Sequence, residues 1–351
     1  MKQRRIENSK SGYLPNLDGF RGLAILLVFS AHPVNRDFWD RFNGPSGVTL
    51  FFVLSGFLIT TLLLEAELQG NVALKSFYIK RFFRIYPMYF LVTFLYVFLI
   101  LVLDFEPERK NLFLRELPFY FSPLPEHAYF HHQEGLAVPN NGLWSIGIEE
   151  KFYFFWPLIA FGGLQLMRRY RLVFLILILT VSFYANFQSG FWDYLAPYLP
   201  VTLGCLGAIA RANPVFSSLF QKLNSGTIRY SFLVVTSLLQ FSSSQILLGQ
   251  KFYPLICLFF LISLLAFTGP KPDRFLGSRS LKYVAELSYC LYLTHNFFIN
   301  LSEKLFPNTQ DSYSTLYSTG FGLVMAFVAA HLLNRFFERP LRNLGRRIAG
   351  H

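Results

Sequence analysis

Charge is what this sequence has least of. Only 15% of its 351 residues are Asp, Glu, Lys or Arg, against about 25% in soluble globular domains, so a soluble globular composition is excluded. Acids are the scarcer sign, with 20 Asp and Glu facing 32 Lys and Arg for a formal net charge of +12. Cysteine is nearly missing. Cys205, Cys257 and Cys290 have no paired spacing and lie in apolar runs, which argues against a disulfide framework and a thiolate metal site. Fixed-period repeats and low-complexity tracts are missing too, which excludes a solenoid.

What fills the chain is apolar side chain, 53% hydrophobic and 19% aromatic. Runs near twenty residues, parted by basic or Pro/Gly-containing breaks, put almost all of it in or near a bilayer. The expected fold class is all-α, a polytopic membrane bundle of about ten transmembrane helices with the lipid bilayer as its partner. Residues 1–351 read as a single membrane domain with no fused soluble domain. Helices are expected near 17–34, 47–64, 86–103, 142–166, 171–188, 194–210, 229–247, 252–268, 284–301 and 315–337. The first run follows the basic MKQRRIENSK, lacks a small-residue cleavage site and carries Arg21, so it reads as a retained span rather than a signal peptide.

In a soluble protein a charge of +12 would suggest nucleic acid; here its placement argues for topology instead, and no nucleic-acid partner is expected. Segments 1–16, 65–84, 168–171, 211–229, 270–282 and 334–351 together hold 23 of the 32 Lys and Arg. They fall in alternate connections. By the positive-inside rule both termini are cytoplasmic and the number of spans is even, as in a multi-pass protein of the cell inner membrane.

The stretch LDGFRGLAILLVFSAHPV, residues 17–34, places Asp18, Arg21 and His32 in one otherwise apolar helix. A charge near a helix centre costs roughly 2.5–3.5 kcal/mol on insertion scales, so such groups normally face a protein interior or a wet cavity. Eleven residues apart, Arg21 and His32 return to within about 20° of each other some 16 Å along the axis, and Asp18 falls on the same face. The plainer reading makes Asp18 a helix cap, Arg21 a snorkelling cation and His32 an interfacial end.

Four other stretches carry ionisable groups. In FYIKRFFRIYP, Lys80, Arg81 and Arg84 lie three and four residues apart on one helical face, with Pro87 opening the third span. The segment suits anionic lipid at an interface, and equally a phosphate clasp, because guanidinium groups meet phosphate oxygens in a fork. The connection 104–141 is the longest and holds Glu126, His127, His131, His132 and Glu134; it reads as a solvated loop over part of an external site, with metal binding the less supported use. Next, NNGLWSIGIEEKFYFFWPLIAF carries Glu149 and Glu150 about 10 Å below its start, with Lys151 as a possible ion-pair partner. Adjacent carboxylates point about 100° apart, so at least one faces inward, where a carboxylate that orients and charges an imidazole serves acyl transfer. In the ninth span Glu286 lies near the inner end and His295 about 16 Å further out, beside Thr294 and Asn296, either as a satisfied core histidine or in a polar site. Spans five to eight are nearly free of charge and read as scaffold. Gly47, Ser55 and Gly56 in the second read as packing residues.

Taken together, LDGFRGLAILLVFSAH, FFVLSGFLIT, KRFFRIYP, WSIGIEEKFYFFWP, LSYCLYLTH and FERPL resemble, in order and spacing, the acyltransferase family 3 of bacterial membrane O-acyltransferases, over roughly residues 13–345. The resemblance implies a ten-helix bundle that takes an acyl group, commonly acetyl, from cytoplasmic acyl-CoA and places it on a hydroxyl outside. It marks Arg21 and His32 as an essential pair, Arg81 and Arg84 as donor-side residues, and Glu149 and Glu150 as the acids of the WS-x-x-x-EE motif. Lys80 stands where arginine is common, Gly147 replaces a usual serine and Lys151 a usual glutamine. Many relatives also carry a fused hydrolase-like domain, so a second acyl-handling step would here need a partner.

The resulting expectation is an O-acetyltransferase with acyl-CoA (acetyl-CoA) as co-substrate, no metal, and a carbohydrate acceptor of the cell envelope, such as polysaccharide or lipopolysaccharide. Arg81, Arg84 and Lys80 hold the CoA phosphates, and His32 acts as general base or transient acyl carrier with Glu149 or Glu150 behind it. Arg21 stabilises charge on the thioester oxygen or holds the donor. The rivals are an acyltransferase acting on a small metabolite or lipid, and a transporter whose buried charges mark a solute path.

Overall fold

Helices form over each apolar run. The computed structural model describes residues 14–30, 43–70, 72–104, 107–131, 142–162, 165–245, 252–269, 271–306 and 312–350, and no strand occurs among them. The helices used below are α1 (Leu17–Phe29), α2 (Pro45–Leu68), α3 (Leu74–Leu101), α4 (Lys110–Tyr120), α5 (Pro125–His131), α6 (Leu143–Phe161), α7 (Gln165–Ala185) and α8 (Tyr198–Ala212). They continue with α9 (Ser217–Leu223), α10 (Gly226–Gln245), α11 (Tyr253–Ala266), α12 (Arg279–Leu305), α13 (Ser312–Leu333) and α14 (Arg339–Ile348), the last two joined by a π-helical turn at Asn334–Glu338. Pro45–Leu68, Leu74–Leu101, Gly190–Ala212 and Tyr317–Ile348 are each long and apolar enough to cross a membrane.

Apolar surface points outward. Phe94, Leu177, Val234 and Val324, on four different helices, are all more than half exposed, an arrangement that water penalises and hydrocarbon does not. The interior is knitted by contacts between distant turns. Trp156 Nε1 of α6 donates to Thr60 Oγ1 of α2 at 2.9 Å, and Arg171 of α7 pairs with Glu67 of α2 at 2.7 Å. α12 and α13 run antiparallel: Ser302 Oγ donates to the Ser318 carbonyl at one end, and Tyr283 Oη meets His331 Nδ1 at 2.8 Å at the other. α2 and α8 meet backbone to backbone, since a Cβ on Gly56 would strike the Val201 carbonyl, the close approach that small residues permit.

Two expectations are revised. The third helix begins at Leu74, not near residue 86, so the basic turn is part of it and Pro87 lies inside the helix. Burial of Phe77 and Ile85 on either side of the cations carries the helix through. The connection 104–141 is not a bare loop, because α4 and α5 fold within it around buried Phe113, Glu116 and Tyr120.

The turn 267–278 is fastened by Asp273. Its carboxylate accepts from Tyr230 Oη at 2.5 Å and from the backbone N–H groups of Phe275 and Leu276 at 2.9 and 3.1 Å, and pairs with Arg229 at 3.0 Å. Asn16 Oδ1 accepts from the Asp273 N–H at 2.6 Å, tying the start of α1 to the same turn. Burial alone would raise the Asp273 pKa, but the hydroxyl, the two N–H groups and the guanidinium outweigh it and hold the group below its ordinary 3.8. A depressed carboxyl contributes stability above its unfolded value and loses it as the pH falls through the folded one. Asp273→Asn is therefore expected to destabilise by about 2 kcal/mol at pH 7. The gap to wild type should close below about pH 3.8, as followed by thermal unfolding in detergent. A gap that persists unchanged at pH 3 would refute the assignment.

Candidate functional site

Arg21, Arg81, Arg84 and Glu149 line one cavity enclosed by α1, α2, α3, α6 and α12. Arg21 lies in the second turn of α1, with Asp18 3.6 Å away one turn earlier, so the face expected for these two forms. Arg81 and Arg84, three apart on α3, reach the cavity together. Lys80 is turned about 100° from Arg81; it is exposed and does not line the cavity. The Arg81 guanidinium lies 5.0 Å from the Tyr153 ring centroid and 5.5 Å from that of Phe77, two cation–π contacts that restrain it.

Glu149 is held by hydroxyls from two helices. Ser55 Oγ of α2 donates to its Oε1 at 2.7 Å, Tyr153 Oη to its Oε2 at 3.2 Å, and the two hydroxyl oxygens are 2.9 Å apart. Ser145 Oγ and Tyr292 Oη, 2.6 Å apart, form another part of the wall. Glu150 points elsewhere. It lines a separate apolar cavity with Tyr86, Phe90 and Phe155, divided from the first by Ile85 and Ile146, which line both. Ser55, read from the sequence as a packing residue, instead donates to Glu149 in the cavity, and Tyr153, Ser145 and Tyr292 are members of the site that sequence reasoning did not single out.

The electrostatics favour an anion. Among the described lining residues, three guanidinium groups gather around the single carboxylate of Glu149, with Asp18 beside Arg21, in an apolar bundle where unmatched charge is costly. The paired arginines of α3 could take a phosphate or pyrophosphate group, whose oxygens suit the guanidinium fork.

Of the other residues singled out, His32 lies outside the described residues, as do His132 and Glu134. His295 is buried; its Nδ1 faces the carbonyls of Tyr292 at 2.8 Å and Leu291 at 3.0 Å, and its ring packs 5.4 Å from Phe29. His127 Nδ1 meets Tyr194 Oη at 2.8 Å. Glu286 and Glu338 form a basic-end network with Arg339 and Arg342, and the thiol of Cys290 donates to Glu338 at 3.0 Å.

Glu126 explains two unusual positions of α6. Its Oε1 accepts from Lys151 Nζ at 2.5 Å, and its Oε2 fills the space that a Cβ on Gly147 would need. One buried ion pair thus clamps α5 onto α6, and a serine at 147 would collide with it. Lys151→Met strands the Glu126 carboxylate, only 3% exposed, and is expected to cost about 3 kcal/mol. The double change Lys151→Met with Glu126→Leu should recover much of that, measured by thermal unfolding; simple addition of the two losses would rule the clamp out.

Outward-facing apolar helices around an interior cavity of gathered charges define an integral membrane protein with a polar site inside its bundle. The chain belongs to acyltransferase family 3, whose "Acyltransferase domain" profile matches residues 14–335. It is 28% identical over 95% of its length to the peptidoglycan O-acetyltransferase OatA of Listeria monocytogenes, covering 56% of that protein. To the putative peptidoglycan O-acetyltransferase YrhL of Bacillus subtilis it is 27% identical over 95%, covering 55%. To a putative O-acetyltransferase of Staphylococcus aureus strain COL the figures are 26%, 96% and 58%. The chain therefore spans little more than half the length of the curated relatives it matches. No solved structure matches it.

Proposed function

We propose that this chain is the membrane part of an O-acetyltransferase that carries an acetyl group from cytoplasmic acetyl-CoA to a hydroxyl of an envelope glycan outside the inner membrane. The observation that carries the reading is the cavity in which Arg21, Arg81 and Arg84 surround Glu149. Ten crossings with both termini in the cytoplasm set the basic starts of α3 and α12 on the CoA side, as the positive-inside rule requires.

Arg81 and Arg84 hold the CoA phosphates, and the thioester extends along α1. Arg21 faces the negative charge that grows on the thioester oxygen, a role worth most where water is excluded. His32, assigned from the sequence alone, takes the proton of the acceptor hydroxyl as the oxygen attacks the thioester carbon. The C–S bond then breaks, and the proton leaves with the CoA thiolate as free thiol. Glu149 is the acid that holds the resulting charge; Glu150, in its separate cavity, takes no part.

The test is transfer of label from radioactive acetyl-CoA to base-labile ester in membranes holding equal amounts of wild type and His32→Ala. Wild type should transfer and His32→Ala should not. Label that no acyl-CoA donates, together with charge-dependent passage of a solute, would replace the enzyme with a transporter.

A further inference from the structure

A second cavity shares a wall with the first. Val48 and Tyr292 line both, and the second lies among the starts of α2, α6 and α11 and the middle of α12. Its chemistry is different. No Asp, Glu, Lys or Arg is among its described lining residues; Ser46, Thr49, Tyr253, His295 and Asn296 supply the polar atoms, and Tyr129, Trp144 and Tyr292 the aromatic faces. Tyr129 and Trp144 stack at 5.0 Å with their planes 18° apart, so one ring lies over part of the other and the pair forms an aromatic wall. Thr49 Oγ1 and Tyr253 Oη are 3.3 Å apart. The Ser46 hydroxyl is the telling group: the residue is only 5% exposed, and its Oγ has no hydrogen-bond partner among the described residues. A buried hydroxyl left in that state is unfavourable, and a ligand hydroxyl would relieve it.

A charged ligand would find no counter-ion among these side chains. A neutral ring with hydroxyls on its edge and C–H groups on its face matches both the uncharged donors and the aromatic wall. We infer that this cavity is the acceptor subsite and takes one neutral pyranose of a glycan chain, with its face on Trp144 and a hydroxyl on Ser46. The inference rests on the acyltransferase reading and deepens it: charge sorts the donor into the first cavity, and the uncharged lining among the described residues sorts the acceptor into the second. Tyr292, on the shared wall, lies between them.

The experiment uses the purified full chain in nanodiscs without any acyl-CoA. The probes are a β-1,4-linked N-acetylglucosamine tetramer and its cationic deacetylated counterpart, read by tryptophan fluorescence with wild type, Ser46→Ala and Trp144→Phe. The neutral tetramer should bind saturably and at least about tenfold more tightly than the cationic one. Ser46→Ala should weaken it roughly five- to thirtyfold while leaving the unfolding temperature unchanged or higher, because it removes an unsatisfied group. Trp144→Phe should lose the fluorescence change. Failure of the neutral tetramer to bind, equal affinity for both tetramers, or unchanged affinity in Ser46→Ala overturns the subsite. Transfer kinetics separate the two claims. If label transfer persists and the acceptor KM is unchanged in Ser46→Ala, the subsite falls and the acyltransferase reading stands. If the glycan binds as expected and no CoA thioester donates label, the subsite stands and that reading falls.

Discussion

Arg81→Ala is expected to lower kcat/KM for the acyl-CoA donor roughly 100-fold, mostly through donor KM. A hydrogen bond to a charged group is worth about 1.5–3 kcal/mol, and this guanidinium is already oriented before the donor arrives. Tyr153 and Phe77 both pack against it, so little side-chain freedom is lost on binding. Arg81→Lys keeps the charge but gives up the fork and the stacked plane, and should recover only part of the loss, leaving it about tenfold down. Arg84→Ala should act on the same parameter. The double change should be less than multiplicative, because the two groups share one anion. Lys80→Ala is the control: its side chain is exposed and outside the cavity, so its effect should stay within about threefold. Donor-saturation kinetics decide the matter. A silent Arg81→Ala beside a damaging Lys80→Ala would move the phosphate site to the membrane surface. None of these changes should unfold the chain, since removing one of three neighbouring guanidinium groups relieves repulsion.

The contrast between Arg81 and Lys80 also shows how far the sequence can be read. Ionisable groups inside apolar runs stand out because burying them is costly, so Asp18, Arg21, Arg84 and Glu149 are legible as candidates from the chain alone. Which of two adjacent residues faces inward is not. Neighbours on a helix differ by about 100°, and only packing against other helices chooses between Lys80 and Arg81 or between Glu149 and Glu150. Hydroxyls are harder still. Ser55 sits beside Gly56 in a run where small residues serve close packing, and nothing in its spacing says that it holds a carboxylate 94 positions away. Tyr153 and Tyr292 are two aromatics among many. The ion pair of Glu126 with Lys151 joins a connection to a helix 25 residues later, and a loop acid carries no mark of its partner. Pro87 misleads in the opposite way: proline usually starts or breaks a helix, but burial on both sides carries α3 through it. His32 stays a reading of the sequence.

Glu149→Gln is expected to lower kcat by 10²- to 10⁴-fold, the range of a lost acid–base partner, while Glu150→Gln changes it by less than about tenfold. The two residues are neighbours in the chain with the same side chain, so composition, distance from the chain ends and membrane depth are matched. What differs is surroundings. Glu149 accepts from Ser55 and Tyr153 and lies with the three arginines; Glu150 lies across Ile85 and Ile146 beside Tyr86. Glutamine keeps the shape of Glu149 and removes its charge. The cations of the cavity then have one carboxylate fewer to face, so donor phosphate should bind as well or better even as turnover collapses. That opposition, a lower kcat with an unchanged or smaller donor KM, is the mark of a group that acts on the reaction rather than on binding. A merely structural acid would lower expression or unfolding temperature and leave the ratio of the two parameters alone. Ser55→Ala removes one of the two hydroxyls and should fall between wild type and Glu149→Gln, because the carboxylate remains but loses a support that sets its direction. Equal losses in Glu149→Gln and Glu150→Gln would mean that the two cavities work as one, and that the isoleucines between them do not divide the site.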